Sequence, residues 1–170
     1  MKFLHTLAIV LVLFAAFFAA QRSASAQTAV YAMFTGASSG PANSGNMYGP
    51  TLGAYFDRGT FINYGVDIRG AFLRNGNNTQ FDSGMGGLRL SVKPHIIPFN
   101  PYVELLGGIA HSSYPTQSAN NFAYEFNVGA DFTLLPHLDW RVLEFSDTTL
   151  TSSNNISPKA LSTGLVFRLF

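Results

Sequence analysis

The sequence has no cysteine and few charged residues. Charged side chains make up 11% of its 170 residues, whereas a soluble domain carries about 25%. Without cysteine the chain cannot be a disulfide-stapled scaffold, and so few charges cannot cover a water-facing globule of this length. A net charge of +1 argues against a nucleic-acid-binding protein, and an aromatic content of 14% excludes a disordered chain.

The N-terminus has the pattern of an export signal. Lys2 precedes an uninterrupted run of 14 apolar residues at positions 7–20, and the small residues Ala24 and Ala26 flank Ser25 after it. This predicts a cleaved signal peptide over residues 1–26 and a mature domain over residues 27–170. The alternative, a membrane-spanning helix, is disfavoured because 14 residues extend about 21 Å, which is short of the ~30 Å bilayer core.

Apolar and polar residues alternate along most of the mature chain. The clearest segment is residues 122–134, where one face is aromatic or aliphatic and the other is small or polar. Such a period of two indicates a half-apolar β-strand. Similar segments predict seven further strands, at residues 28–36, 51–56, 62–69, 87–92, 102–109, 138–142 and 161–169. The alternation breaks at Leu143, which predicts a β-bulge there.

The predicted connections alternate in character. Polar connections cover residues 37–46, 74–79, 113–120 and 146–158, while tighter or proline-containing ones cover residues 57–59, 93–100 and 135–137. Long loops at one end and short turns at the other are typical of outer-membrane barrels. The sequence therefore predicts an all-β fold, an eight-stranded antiparallel up-and-down transmembrane β-barrel with both termini at the short-turn end.

The polar strand faces are too poor in lysine and glutamate to meet water. They are mostly glycine, serine, threonine and asparagine, which suit the narrow lumen of an eight-stranded barrel. The apolar faces are therefore predicted to contact lipid, with Trp140, Tyr64 and Tyr124 at the membrane interface.

Eight charged residues fall on the predicted lumen faces of the strands. Four acids and four arginines predict a charge-balanced network in the lumen. Such a balance favours a network that plugs the lumen over one that gates the passage of small ions or solutes. The predicted members are Asp67, Arg69, Arg89, Glu104, Glu125, Asp131, Arg141 and Arg168.

Enzymatic and metal-binding interpretations have weaker support. His111 and Ser113 share a strand face, as a nucleophile and its base require, but Glu125 lies on the lumen phase and points away from them. His95 and His137 lie in separate turns and have no zinc-ligand spacing. We therefore predict no catalytic residues, no metal and no cofactor.

The whole mature chain resembles the OmpA-like and OmpX-like group of small eight-stranded outer-membrane barrels. The similarity is carried by residues 101–104, 138–142 and 164–170. It implies the outer membrane of a Gram-negative-type bacterium, with outer-membrane lipids and the outer-membrane assembly machinery as partners, a monomeric state and no nucleic acid. Phe170 is similar to the terminal aromatic residue that this machinery reads. A pore for small solutes is the alternative function; some such barrels are lipid A deacylases, and His111, Ser113 and Glu125 come nearest to their motif.

Overall fold

The computed structural model describes residues 25–38, 45–76, 79–94, 96–114, 117–151 and 158–169. Eight strands form one closed antiparallel barrel in sequence order, because the first strand pairs with both the second and the last. The strands are β1 (Ser25–Ser38), β2 (Met47–Gly59), β3 (Ile62–Arg74), β4 (Gln80–Val92), β5 (Phe99–Tyr114), β6 (Gln117–Leu135), β7 (Leu138–Leu150) and β8 (Lys159–Arg168). The predicted fold is confirmed. In the described part of the chain, no helix is long and apolar enough to cross a membrane.

The two ends of the barrel differ in their connections. Residues 60–61, 93–98 and 136–137 join strands at one end, which we call the short-turn end; the other is the long-loop end. The start of β1 and the end of β8 both lie at the short-turn end, because Ala29 pairs with Arg168. The predicted signal peptide, residues 1–26, lies almost wholly outside the described residues. Cleavage after Ala26, which pairs with Arg58, stays a prediction.

The bounds of the predicted connections shift in the structure, and three of them differ most. Residues 57–59 belong to β2, so that Asp57 faces the interior and the turn falls at residues 60–61. Most of the predicted loop over residues 113–120 continues β5 and β6, which are 16 and 19 residues long. Strand β7 continues to Leu150, into the predicted loop that starts at residue 146. In each case, polar residues whose composition is typical of a loop belong to a strand. They either face the polar interior or extend the strand beyond its predicted end.

The exterior of the barrel is apolar. Ile68, Leu88 and Ile109 are 64%, 64% and 63% exposed, whereas Asp67, Arg141 and Glu144 are 0% exposed. The alternation of burial follows the predicted strand phases, and the predicted apolar-out orientation is confirmed. Leu106 is an apolar residue on the polar phase of its strand, and it faces inward and is buried.

Candidate functional site: the filled lumen

Nine buried charged side chains form one connected group in the middle of the lumen, which we call the charge cluster. Six strands contribute to it, and on each of them one or two of these residues occupy inward-facing positions. Its members are Asp57, Asp67, Arg69, Arg89, Glu104, Glu125, Asp131, Arg141 and Glu144.

Arg69 connects four carboxylates. Its Nη1 lies 2.7 Å from Glu144 Oε1 and 3.5 Å from Glu125 Oε1, its Nε lies 3.2 Å from Asp67 Oδ1, and its Nη2 donates to Glu104. A planar guanidinium with five N–H donors can serve several carboxylates at once. Arg69 therefore links β3 to β5, β6 and β7 across the lumen.

The two other arginines of the cluster share Asp131. Arg89 Nη2 lies 3.2 Å from Asp131 Oδ2, and Arg89 also contacts Glu104 and Asp57. Arg141 Nε lies 2.8 Å from Asp131 Oδ1. Because each arginine binds at least two carboxylates, the cluster is one continuous network rather than separate pairs.

Three tyrosine rings pack against the arginines of the cluster. The guanidinium carbon of Arg89 lies 3.8 Å from the ring centroid of Tyr102 and 4.2 Å from that of Tyr55, and that of Arg141 lies 4.4 Å from that of Tyr31. These are cation–π distances. The phenol groups also donate hydrogen bonds, from Tyr31 to Asp67 at 2.8 Å and from Tyr102 to Glu144 at 2.6 Å.

Two glycines make room for these tyrosine rings. A Cβ at Gly53 would lie 2.4 Å from the Tyr31 hydroxyl, and a Cβ at Gly129 would lie 2.4 Å from the Tyr102 hydroxyl. Each glycine is the direct cross-strand partner of the tyrosine it accommodates. The rings therefore lie flat against the barrel wall and reach the cluster with their hydroxyl groups.

The sequence missed Asp57, Asp139 and Glu144 as lumen residues. Asp57 was assigned to a turn, and Asp139 lay on the inward phase but was left out of the network. Glu144 follows the phase break at Leu143: β7 has a bulge between Arg141 and Glu144, so these two residues, three apart, both face inward. The bulge was predicted, and following the strand phase beyond it would have identified Glu144.

The predicted balance of four acids and four arginines is wrong. The charge cluster contains three arginines and six carboxyl groups. Arg168, predicted as a member, is half-buried at the short-turn end, where its Nη2 lies 2.7 Å from Asp139 Oδ1. Neutral donors supply the remaining hydrogen bonds to the cluster, from Ser91 to Asp57 and from Thr148 and Asn127 to Glu125.

The lumen changes from charged to apolar towards the long-loop end. Hydroxyl groups come first, with Thr35 Oγ1 2.8 Å from Thr51 Oγ1 and 2.9 Å from Ser162 Oγ. Beside them lies a void of about 30 Å³. Beyond it, buried apolar side chains form what we call the apolar section: Ala37, Met47, Leu73, Phe81, Met85, Leu106, Ala110, Ala123 and Leu150.

The geometry of His111, Ser113 and Glu125 does not bring a catalytic triad together. His111 Nδ1 lies 2.6 Å from Asn120 Oδ1, across the β5–β6 pair. Glu125 is buried in the lumen, where it accepts hydrogen bonds from Asn127 and Thr148. The carboxylate therefore has no access to the imidazole.

The other histidines offer no metal site in the described part of the chain, where no group of three or more histidine, aspartate or glutamate side chains could hold a metal ion. His137 is exposed, with its Nδ1 3.3 Å from the carbonyl oxygen of Arg168. His95 lies outside the described residues.

The predicted interface residues lie on the outer wall. Trp140 and Tyr124 are 43% and 52% exposed, and Tyr64 is half-buried near the short-turn end. Trp140 Nε1 donates to Thr163 Oγ1 at 3.1 Å, and Tyr124 packs edge-on against Phe122. Their contact with the membrane interface remains a prediction. Phe170, the predicted assembly signal, lies outside the described residues.

The sequence profile of the family described as outer membrane protein beta-barrel domain matches residues 8–168. The chain belongs to this family. Its apolar outer wall and polar interior agree with that membership, and the protein is an integral protein of the outer membrane of a Gram-negative-type bacterium. No curated protein sequence is significantly similar to it.

Solved structures share the fold of this outer-membrane barrel at low sequence identity. Neisserial surface protein A is 17% identical with a TM-score of 0.58, and the match covers 86% of this chain and 99% of that one. The attachment invasion locus protein Ail of Yersinia pestis is 14% identical with a TM-score of 0.52, covering 85% and 97%. The N-terminal β-barrel domain of Pseudomonas aeruginosa OprF is 11% identical with a TM-score of 0.51, covering 85% and 100%. At these identities the similarity shows the fold alone.

Proposed function

We propose that this outer-membrane barrel is a non-enzymatic structural protein with a closed lumen, which supports the membrane or presents its long-loop end at the cell surface. The observation that carries the proposal is the filling of the lumen by two successive barriers. The charge cluster crosses the barrel from wall to wall, and the apolar section follows it towards the long-loop end.

Each barrier opposes a different kind of solute. The charge cluster is held by arginines that each bind two or more carboxylates, and breaking such buried pairs is costly. The apolar section offers an ion no hydrogen-bonding partner, and an apolar constriction excludes water and ions. The void between the two barriers, about 30 Å³, holds about one water molecule and is far too small for a nutrient.

The outer surface suggests which molecules the barrel contacts, and the closed sheet suggests its oligomeric state. The exposed apolar belt fits outer-membrane lipids, and the terminal Phe170 fits the assembly machinery. A closed barrel leaves no strand edge to be paired with another chain. We therefore propose that the protein functions as a monomer.

A liposome-swelling assay tests the proposal. The mature protein is refolded into vesicles, which are then placed in iso-osmotic solutions of small sugars and amino acids. We expect swelling at the rate of protein-free vesicles, with an open porin as the positive control. Folding of the same sample is checked by its altered migration in SDS before and after boiling. Swelling by folded protein that decreases with solute size would show the alternative function, a narrow solute pore.

A further inference from the structure

A second cavity opens at the short-turn end of the lumen, away from the charge cluster. Its volume is about 420 Å³, and the connection between β4 and β5 forms one side of it. That side is apolar, made of Pro94, Ile96, Ile97 and Pro98. No carboxylate is among the described residues that line the cavity, whose polar side chains are Thr60, Lys93, Asn100, Thr133 and Arg168.

Two cations from separate elements face this cavity. Lys93 follows β4 and Arg168 ends β8, and both are only half-exposed. Arg168 has an ion-pair partner in Asp139, at 2.7 Å. In the described part of the chain no acidic side chain comes within ion-pair distance of Lys93. The nearby Asp57 accepts hydrogen bonds from Arg89 and Ser91 at Oδ2, while its Oδ1 is buried without a hydrogen-bond partner.

Lys93 and Arg168 lie close enough to repel each other. Burial, and next the positive charge of Arg168, lower the pKa of the Lys93 ammonium, while the negative charges of Asp57 and Asp139 act in the opposite direction. Arg168 Nε is buried without a hydrogen-bond partner, while its Nη2 reaches the hydroxyl of Thr133 at 3.5 Å. An oxyanion in the cavity would relieve the repulsion between the two cations and could accept a hydrogen bond from Arg168 Nε.

We propose that this cavity is a binding site for a phosphate-class oxyanion, held by Lys93 and Arg168 with Asn100 and Thr60 as neutral donors. A phosphate group has several acceptor oxygens for donors that line one cavity from the β2–β3 turn, the β4–β5 connection, β5 and β8. In an outer-membrane barrel the short-turn end faces the periplasm. The phosphate therefore belongs to a periplasmic solute or to an inner-leaflet lipid headgroup.

Calorimetric titration with inorganic pyrophosphate at low ionic strength tests the site. The refolded mature protein is held in an uncharged detergent, and Lys93→Gln is compared with Lys159→Gln at the long-loop end. We expect saturable binding by the wild type and by Lys159→Gln, and at least a tenfold weaker affinity for Lys93→Gln. Absence of binding by the wild type, or equal weakening by the two variants, would overturn the proposal.

Competitive amine labelling gives a second measurement that needs no variant. Acylation of Lys93 and Lys159 is followed by mass spectrometry in the wild-type protein, and pyrophosphate is expected to slow acylation of Lys93 several-fold while leaving Lys159 unchanged. Equal rates for Lys93 with and without pyrophosphate would contradict the site. Repeating the labelling in phosphatidylglycerol and phosphatidylcholine vesicles distinguishes the sources. Protection in phosphatidylglycerol vesicles without added pyrophosphate assigns the phosphate to a lipid headgroup, and protection that requires added pyrophosphate in both kinds of vesicle assigns it to a solute.

Discussion

Arg141 is enclosed by the charge cluster and by the tyrosine rings that pack against it. Its side chain is fully buried, lies 2.8 Å from Asp131 Oδ1 and 3.2 Å from Glu144 Oε2, and packs against the rings of Tyr31 and Tyr102. Removing one partner from a buried ion pair leaves an uncompensated charge, whereas an exposed pair contributes little. The role of this residue can therefore be measured against an exposed pair on the same barrel.

We predict that Arg141→Gln lowers the free energy of unfolding by about 3–5 kcal/mol. The matched control is Arg74→Gln, which removes an arginine whose ion pair with Asp82 is exposed to solvent and which should change the free energy by less than about 1 kcal/mol. Urea titration of the barrel in vesicles, followed by the fluorescence of the single tryptophan, Trp140, measures both. Equal losses in the two variants would contradict the cluster's contribution to stability.

At the residue scale, alternation alone assigns the direction of most charged side chains. Asp67 and Arg69 lie on the polar phase of one strand, and the structure places both inside. Most of the partners could not be predicted, because many of these ion pairs join residues far apart in the sequence, up to 75 positions for Arg69 and Glu144. Nor could the contacts of Tyr31 and Tyr102 with the arginines, because their rings reach the cluster over Gly53 and Gly129, where a Cβ would clash with them.

At the scale of the strand, the bulge in β7 decides which residues reach the lumen. Regular alternation would direct Arg141 and Glu144 to opposite faces, and the bulge turns both inward so that they pair. Thr163 on β8 lies beside this irregularity. Its hydroxyl donates to the carbonyl oxygen of Arg141 at 2.9 Å and accepts from Trp140 Nε1 at 3.1 Å. The hydroxyl group therefore holds the backbone where the ladder is interrupted.

Thr163→Val tests this role of the hydroxyl group. The substitution nearly preserves shape and removes both hydrogen bonds, so we expect a loss of about 1–2 kcal/mol in the free energy of unfolding and a shift in Trp140 emission. Thr149→Val, on the exposed face of β7, is the control and should change neither quantity. An unchanged unfolding curve for Thr163→Val would show that the bulge is held by other contacts.

Strand bounds were predicted well where one face is apolar and poorly where composition is polar on both faces. The β5–β6 hairpin shows the limit: residues 113–120 contain serine, asparagine and glutamine, which read as a loop, yet most of them extend the two strands. Asp57 shows the other limit. The tripeptide Asp-Arg-Gly at residues 57–59 is typical of a turn, but in the structure it forms the end of β2. Cross-strand pairing outweighs local turn preference at both places.

At the scale of the whole molecule, the shortage of charge has a structural explanation. The outer wall is exposed and apolar, while most charged side chains of the described strands are enclosed in the lumen or at its short-turn end. The fold class followed from alternation and from the spacing of turns, both local signals. Whether the lumen is closed is a different kind of property, because it depends on how side chains from every strand fill one shared interior.

Single-channel recording across a planar bilayer tests the closed lumen most directly. Folded wild-type protein is added to the bilayer in concentrated salt, with an open porin as the positive control. The charge cluster and the apolar section together predict a baseline without steady conductance steps. A steady unitary current that Arg141→Ala alters would place an ion path through the charge cluster and contradict the account.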